Sequence, residues 1–267
     1  MSDYQTIRLE RRDGFAILTL DRPRAANTIS RQLMADVNGA LDEIDREPDV
    51  RVLLVTGAGD RHFCGGADLR DLAAARGGGA SASPAPEGAR RDFIAHLEEV
   101  RQPTIAVING AAMGGGCEIA LACDFRLMAE EAKIGQPEIQ FGALPLGGAT
   151  QRLPRIVGLA RAKELVLLGR HLTAREALEI GLVTAIAPRE RLMAEAEKLA
   201  SELAEKAGYA LATGKKLLNR ALDLPLKEGL ALERELALSM ATPEEMRAAR
   251  ERAMAKSATY GKIFSKS

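Results

Sequence analysis

Short apolar runs separated by glycine-containing turns fill the first half of the chain, and this pattern predicts buried strands. Residues 6–10 and 15–20 predict a hairpin around the turn signal Asp13-Gly14. Residues 50–56 form a further apolar run that is long enough for one short buried strand. The first half of the chain is therefore predicted to contribute most of the strands of an α/β protein.

Apolar residues at helical spacing follow these runs. Ser30 can cap a helix that ends before Pro48, and its apolar positions recur every three to four residues: Leu33, Val37, Leu41 and Ile44. A second helix is predicted around residues 93–100 and ends at Pro103. Between the two helices, residues 76–89 are rich in Gly, Ala, Ser and Pro, which predicts a mobile surface loop.

Two segments of the chain share one order of parts. Residues 51–69 and residues 104–121 each begin with an apolar strand, pass through a glycine turn and enter a helix after two or three further glycines. A glycine-rich turn before a helix lets backbone N–H groups approach a ligand closely and adds the positive end of the helix dipole. One such turn is usually only a tight connection, but two related turns could place two N–H donors around one oxygen, as an oxyanion hole requires.

The chain changes character near its last predicted strand, residues 182–187. Residues 189–257 have a helical pattern almost throughout, and capping-box signals begin at Thr173 and Thr242. Such helices bury their apolar stripe either on a partner subunit or on the parent domain. The pattern predicts two parts, a core over residues 1–188 and a helical region over residues 189–267.

Composition and charge exclude several classes of protein. The 267 residues contain 37 Lys and Arg against 37 Asp and Glu, without a basic stripe carrying aromatic residues, so nucleic acid is a poor candidate partner. The apolar runs fall short of the roughly 18 residues of a membrane helix. Three cysteines in a chain without an N-terminal apolar signal segment favour reduced thiols, so we expect a soluble cytoplasmic protein.

Two carboxylates stand out as candidate acid/base groups. Glu118 has apolar neighbours on both sides, where a carboxylate costs free energy unless it is paired or used, and Glu138 follows Gly-Gln-Pro twenty residues later. The plain alternatives are a solvent-facing helix residue and a salt-bridge partner in a loop. Metal binding, a phosphate loop and a dinucleotide fingerprint are not indicated, because the His and Cys residues and the glycines lack the required spacings.

Several ordered motifs resemble the enoyl-CoA hydratase/isomerase (crotonase) superfamily, and the similarity extends over nearly the whole chain. The motifs are Phe63-Cys-Gly-Gly-Ala-Asp-Leu69, Asn109-Gly-Ala-Ala-Met-Gly-Gly-Gly-Cys-Glu118, Gly135-Gln-Pro-Glu138 and Thr150-Gln-Arg-Leu-Pro154. The resemblance implies an α/β spiral of repeated ββα units followed by a helical trimerisation region. It also implies a homotrimer or a homohexamer built as a dimer of trimers, with an acyl-CoA thioester as substrate and no cofactor besides that coenzyme A.

The resemblance also assigns roles to individual residues. Glu118 would activate water, and Glu138 would deliver a proton to the α-carbon of a trans-2-enoyl-CoA, giving a 3-hydroxyacyl-CoA as in fatty-acid β-oxidation. The backbone N–H groups of Gly65 and Gly115 would form the oxyanion hole. The implied substrate-binding residues are Arg24, Ala25, Gly65, Gly66, Ala67, Asp68, Leu69 and Leu146.

The chain departs from the family pattern at Leu146, where hydratases often have glycine, so we expect this side chain to narrow the water site or reshape the acyl pocket. Residues 254–260 lack the aromatic and Lys-Arg pattern that is often seen there. The alternatives to a hydratase are a Δ3,Δ2-enoyl-CoA isomerase that uses mainly Glu138 and a non-catalytic acyl-CoA-binding protein. The presence of both carboxylates favours the hydratase.

Overall fold

A computed structural model describes residues 4–68, 71, 86, 88–89 and 91–256. Leu69, most of the loop predicted for residues 76–89, and the chain after residue 256 lie outside the described residues. Predictions that concern those segments therefore remain predictions.

Strands and helices alternate through most of the described chain. The strands are β1 (Ile7–Arg11), β2 (Phe15–Leu20), β3 (Val52–Gly57), β4 (His62–Cys64), β5 (Thr104–Ile108), β6 (Ala111–Met113), β7 (Phe125–Ala129), β8 (Lys133–Gly135), β9 (His171–Thr173) and β10 (Ala185–Ala187). The helices are α1 (Arg31–Asp45), α2 (Phe93–Glu99), α3 (Gly115–Ala122), α4 (Ala149–Leu167, interrupted at Gly158), α5 (Ala174–Glu179), α6 (Arg189–Ala204), α7 (Gly208–Arg220), α8 (Leu226–Ser239) and α9 (Pro243–Lys256). Two short 3-10 turns span Pro23–Ala25 and Glu138–Phe141.

The strands form two sheets. The larger sheet has the order β1-β2-β3-β5-β7-β10, in which β1 and β2 are antiparallel and the other pairs are parallel. The smaller sheet has the order β4-β6-β8-β9, with an antiparallel pair only at β8 and β9. Every residue of β2, β3 and β5 is buried, as is typical of strands that are covered on both faces.

The repeat seen in the sequence is confirmed by the strand pairing. The first repeat provides β3 and β4, the second provides β5 and β6, and the two repeats pair in parallel in both sheets. Equivalent turns of the two repeats therefore lie next to each other, at the point where the second repeat enters α3. This pairing places two glycine turns at one end of the same helix.

Several local predictions are confirmed. The hairpin pairs Ile7 with Leu20, and the Ser30 hydroxyl accepts the Leu33 N–H at 3.2 Å at the start of α1. Thr173 and Glu176 form a capping box that begins α5. The three-residue strands of the smaller sheet were not predicted, because three residues are too few to show a period.

The chain divides into two compact units between Leu203 and Ala204. Most of α6 belongs to the first unit, whereas the sequence predicted the division at residue 188. The second unit contains α7, α8 and α9, and Thr242 caps α9 by accepting the Glu245 N–H at 3.2 Å. Large apolar side chains of this unit are exposed: Leu218, Leu222, Leu226, Leu230 and Leu238. In the described part of the chain, no helix is both long and apolar enough to span a membrane.

Helix α3 lies directly against β4, and this contact leaves no room for a side chain at Gly116. A Cβ placed there would lie 2.1 Å from the backbone oxygen of Cys64. From Gly116 to the end of α3, every residue is buried. The helix that carries Glu118 is thus fixed by a backbone contact as well as by its apolar residues.

We expect Gly116→Ala to destabilise the protein by about 1–3 kcal/mol or more, because the new methyl group overlaps a backbone atom that cannot rotate away. Gly214→Ala in α7 is the matched control. A Cβ at Gly214 meets nothing within 4 Å, so its helix propensity should leave stability unchanged or raise it by up to about 1 kcal/mol. Chemical denaturation of both variants tests this, and equal stabilities would contradict the close packing of α3.

Candidate active site

Glu118 is a buried carboxylate held by backbone donors. It lies on α3, is 4 % exposed, and its Oε1 accepts the N–H groups of Gly147 and Ala149 at 2.7 and 3.1 Å. Both donors belong to the turn that enters α4. No donor from the described residues contacts Oε2, so one oxygen is fixed and the other is left for a ligand.

Burial raises the pKa of Glu118 above its ordinary value. The two backbone N–H groups and the positive charge of Arg152 oppose this rise, while the negative charge of Asp92 adds to it. The net effect favours proton uptake at this carboxylate. A buried carboxylate of raised pKa beside a free oxygen position suits a general base.

Glu138 lies on the other side of the turn that precedes α3. It is half-buried at the start of its 3-10 turn, and its Oε1 lies 2.8 Å from the point that a Cβ on Gly114 would occupy. Burial raises the pKa of Glu138, its own backbone N–H opposes the rise, and the charge of Glu118 adds to it. The charge of Glu118 therefore acts on Glu138 at the N-terminus of α3.

Gln136 orients Glu138, and it was absent from the predicted site residues although it lies in the Gly135-Gln-Pro-Glu138 motif. It is 1 % exposed, and with its amide nitrogen facing the carboxylate it donates to Glu138 Oε1 and Oε2 at 2.9 and 3.0 Å. The amide also hydrogen-bonds the Cys117 side chain. Because burial raises the pKa of that thiol, Cys117 keeps its proton and can donate to the amide oxygen.

The first glycine turn supplies a different N–H from the one predicted. The N–H of Gly65 donates to the backbone oxygen of Ala26 at 2.8 Å, so it is already occupied. On either side of Ala67, the Gly66 oxygen accepts the Ile29 N–H and the Asp68 N–H donates to the Ile29 oxygen. The N–H of Ala67 is therefore directed away from this bridge between Ile29 and Ala67. The expectation for Gly65 is thus corrected in favour of Ala67.

Ala67 and Gly115 present neighbouring free donors. Neither N–H has an acceptor among the residues that the structure describes, and Gly115 is the first residue of α3. A Cβ on Gly115 would lie 3.7 Å from the nitrogen of Ala67, which shows how closely the two turns approach. Together with the positive end of α3, this pair can bind one negatively charged oxygen.

Two of the other predicted substrate-binding residues lie next to the first glycine turn. Arg24 and Ala25 lie on the 3-10 turn next to Ala26, whose oxygen binds Gly65, and Arg24 is exposed. Asp68 forms an ion pair with Arg22 at 2.9 Å, which ties the two segments together. The turn at residues 23–25 and the run at residues 65–68 are therefore neighbours.

The Leu146 side chain is exposed to solvent. It precedes Gly147, whose N–H holds Glu118, but it is 91 % exposed. The side chain does not pack beside Glu118 and is open to an acyl chain or another molecule. In the part of the chain that the structure describes, no group of three or more His, Cys, Asp and Glu side chains could hold a metal ion.

Comparisons with known proteins identify the family. The family model for enoyl-CoA hydratase/isomerase matches residues 10–258. A probable enoyl-CoA hydratase of Mycobacterium tuberculosis is 39 % identical over 91 % of this chain and 92 % of its own length. A crotonyl-CoA hydratase of Syntrophomonas wolfei is 36 % identical over 91 % of this chain and 92 % of its own.

Solved structures agree with this match. The crystal structure of an enoyl-CoA hydratase from Bacillus anthracis has a TM-score of 0.80 and 34 % identity, and the alignment covers 97 % of each chain. The predicted α/β crotonase-like fold and the resemblance inferred from the motifs are both confirmed. The chain belongs to the enoyl-CoA hydratase/isomerase family.

Proposed function

We propose that this protein hydrates trans-2-enoyl-CoA thioesters to 3-hydroxyacyl-CoA, with Glu118 as general base and Glu138 as general acid. One observation carries the proposal: two carboxylates of raised pKa and two free N–H donors meet at the N-terminus of α3. The names of the relatives support it, since they include probable enoyl-CoA, crotonyl-CoA and short-chain-enoyl-CoA hydratases.

The proposed reaction uses each group once. Water lies against Oε2 of Glu118, gives a proton to that carboxylate and forms a bond from its oxygen to the β-carbon. The electron pair of the double bond moves toward the thioester carbonyl, whose oxygen becomes enolate-like. Glu138 then gives its proton to the α-carbon, the carbonyl is restored, and the two glutamates return to their starting protonation states by exchange with solvent.

The thioester oxygen is proposed to bind between the N–H groups of Ala67 and Gly115. Negative charge develops on this oxygen only as water adds, so the two donors favour the transition state over the substrate. A single donor of this kind is typically worth about 10² to 10³ in rate. The N-terminus of α3 adds a favourable field at the same oxygen.

The coenzyme A portion is proposed to bind along Arg24, Ala25 and the run from Gly65 to Asp68, where the structure brings two segments together. An exposed cation at Arg24 suits the phosphates of the coenzyme. The reaction needs no cofactor besides this coenzyme A. Leu146 is proposed to contact the acyl group, because its side chain is exposed next to the turn that holds Glu118.

The assembly is proposed to be a homotrimer or a dimer of trimers in the cytoplasm. The exposed leucines of α7 and α8 support association, since apolar side chains gathered on neighbouring helices mark interaction surfaces. The role of the helical region in trimerisation is implied by the family resemblance, and these exposed leucines support it.

We expect Glu118→Gln and Glu138→Gln each to lower kcat by about 10² to 10⁴, because each removes one proton transfer. The measurement is the loss of the conjugated thioester absorbance of crotonyl-CoA. Glu99→Gln on the exposed surface of α2 is the control and should match the wild type. Normal hydration by Glu118→Gln would contradict its assignment as the base. Turnover of a 3-enoyl-CoA without any hydration product, unchanged in Glu118→Gln, would instead identify an isomerase. Binding without any product would identify a non-catalytic acyl-CoA-binding protein.

We expect kcat/KM to follow a bell-shaped pH profile. Activity should fall toward acid as Glu118 takes up a proton and can no longer accept one from water. It should fall toward alkali as Glu138 loses the proton that it must donate. Because both pKa values are raised, both limbs should lie above the ordinary range of a glutamate. A profile that lacks either limb between the stability limits of the protein would contradict this division of roles.

A further inference from the structure

Arg152 hydrogen-bonds the turn whose N–H groups bind the Glu118 carboxylate. Its Nη1 donates to the backbone oxygen of Gly147 at 2.7 Å, while the N–H of the same glycine donates to Glu118 Oε1. Gly147 is therefore fixed on both sides, by the carboxylate that it serves and by the guanidinium of Arg152. The two side chains come from different helices, α3 and α4.

Glu98 on α2 fixes Arg152 in turn. Arg152 Nε and Nη2 donate to the two oxygens of Glu98 at 3.1 and 2.5 Å, which is the bidentate geometry that a guanidinium forms with a carboxylate. The side chains are 16 % and 37 % exposed, so the pair is better shielded from water than a surface ion pair. A shielded bidentate pair orients Arg152 rather than merely neutralising it.

The turn has little room to adjust. A Cβ on Gly147 would lie 2.7 Å from Glu118 Oε2 and 2.6 Å from Ile94 Cδ1. A Cβ on Gly148 would lie 2.1 Å from Arg152 Nη1, so the guanidinium occupies the space beside that glycine. The position of Glu118 therefore depends on contacts that reach from α3 through the turn to Arg152.

The charges around Glu118 act in opposite directions. Arg152 favours its ionised form, whereas Asp92 at the start of α2 opposes it. Glu138 carries a further carboxylate on the other side of the α3 N-terminus. Glu98 offsets part of the charge of Arg152 through their ion pair.

We propose that Arg152 is a positioning residue for the general base: it fixes the turn at residues 147–149 so that two N–H groups hold one oxygen of Glu118 and leave the other to water. Glu98 orients Arg152 for this task. The inference rests on the proposed function, because it takes Glu118 to be the base. Arg152 itself does not touch the substrate in this account.

The test compares Arg152→Gln, Arg152→Lys and Glu98→Gln in the full chain. Arg161→Gln is the matched control, since Arg161 also lies on α4 and pairs at 2.9 Å with Glu164 on an exposed surface. For each variant, kcat, KM and the pH profile are measured with crotonyl-CoA. The protonation of Glu118 in the free protein is followed by infrared spectroscopy of its carboxyl band, assigned by the loss of that band in Glu118→Gln.

Arg152→Gln should lower kcat by about tenfold to a hundredfold, the cost expected when a catalytic group is slightly misplaced, with little change in KM. Its acid limb and the infrared titration of Glu118 should move to higher pH, because a favourable charge is lost. Arg152→Lys should restore part of both effects. Glu98→Gln should lower kcat as Arg152→Gln does but less, because Arg152 keeps its charge and loses the group that orients it. Arg161→Gln should change neither kcat nor the acid limb.

The proposal is overturned if folded Arg152→Gln keeps both its acid limb and its infrared titration of Glu118 at the wild-type pH. A wild-type kcat in folded Glu98→Gln would also overturn it, since Glu98 would then not orient Arg152. If Arg152→Gln does not fold, Arg152→Lys and Glu98→Gln still decide between these outcomes. If the wild type does not hydrate crotonyl-CoA, the proposed function fails, while the infrared titration still tests the positioning role.

Discussion

The buried carboxylate of Glu118 is the constraint on which the rest of the site depends. An ionisable group that is 4 % exposed must receive hydrogen bonds from the protein in place of those from water. Here they come from Gly147 and Ala149, which follow Glu118 by about 30 residues in the chain. The turn into α4, its glycines and the ion pair beyond it can all be understood as the means of supplying two N–H groups to one oxygen.

The second requirement of the proposed reaction is a binding site for the negative charge that develops on the substrate. Parallel pairing of the two strand-turn repeats sets their turns side by side, and this brings the N–H groups of Ala67 and Gly115 close together. The same arrangement keeps Glu118 and Glu138 on either side of the α3 N-terminus, so charge on one raises the pKa of the other. Two carboxylates of raised pKa at one place support the proposed proton transfers.

The sequence predicts features that depend on neighbouring residues. The cap at Ser30, the turn at Asp13-Gly14 and the capping box at Thr173 are local, and all three are found. Glu118 was singled out because its apolar neighbours made a solvent-facing position unlikely for a carboxylate, and its burial agrees with that argument.

Features that depend on distant segments were missed or misplaced. Whether Gly65 or Ala67 offers its N–H is decided by the backbone of residues 26–29, which no local pattern reveals. Arg152 is one of many arginines in the sequence, and only the fold places it between Gly147 and Glu98. Leu146 was expected to narrow the water site or reshape the acyl pocket, and its exposure, which follows from the turn, could not be inferred from its identity.

The central claim is that water adds across the double bond with Glu118 and Glu138 acting on opposite protons. The most direct measurement is mass spectrometry of the product formed from crotonyl-CoA in oxygen-18 water and, separately, in deuterium oxide. The account predicts a 3-hydroxyacyl-CoA that carries solvent oxygen at the β-carbon and one solvent deuterium at the α-carbon. Deuterium incorporation or double-bond migration without any solvent oxygen in the product would contradict it.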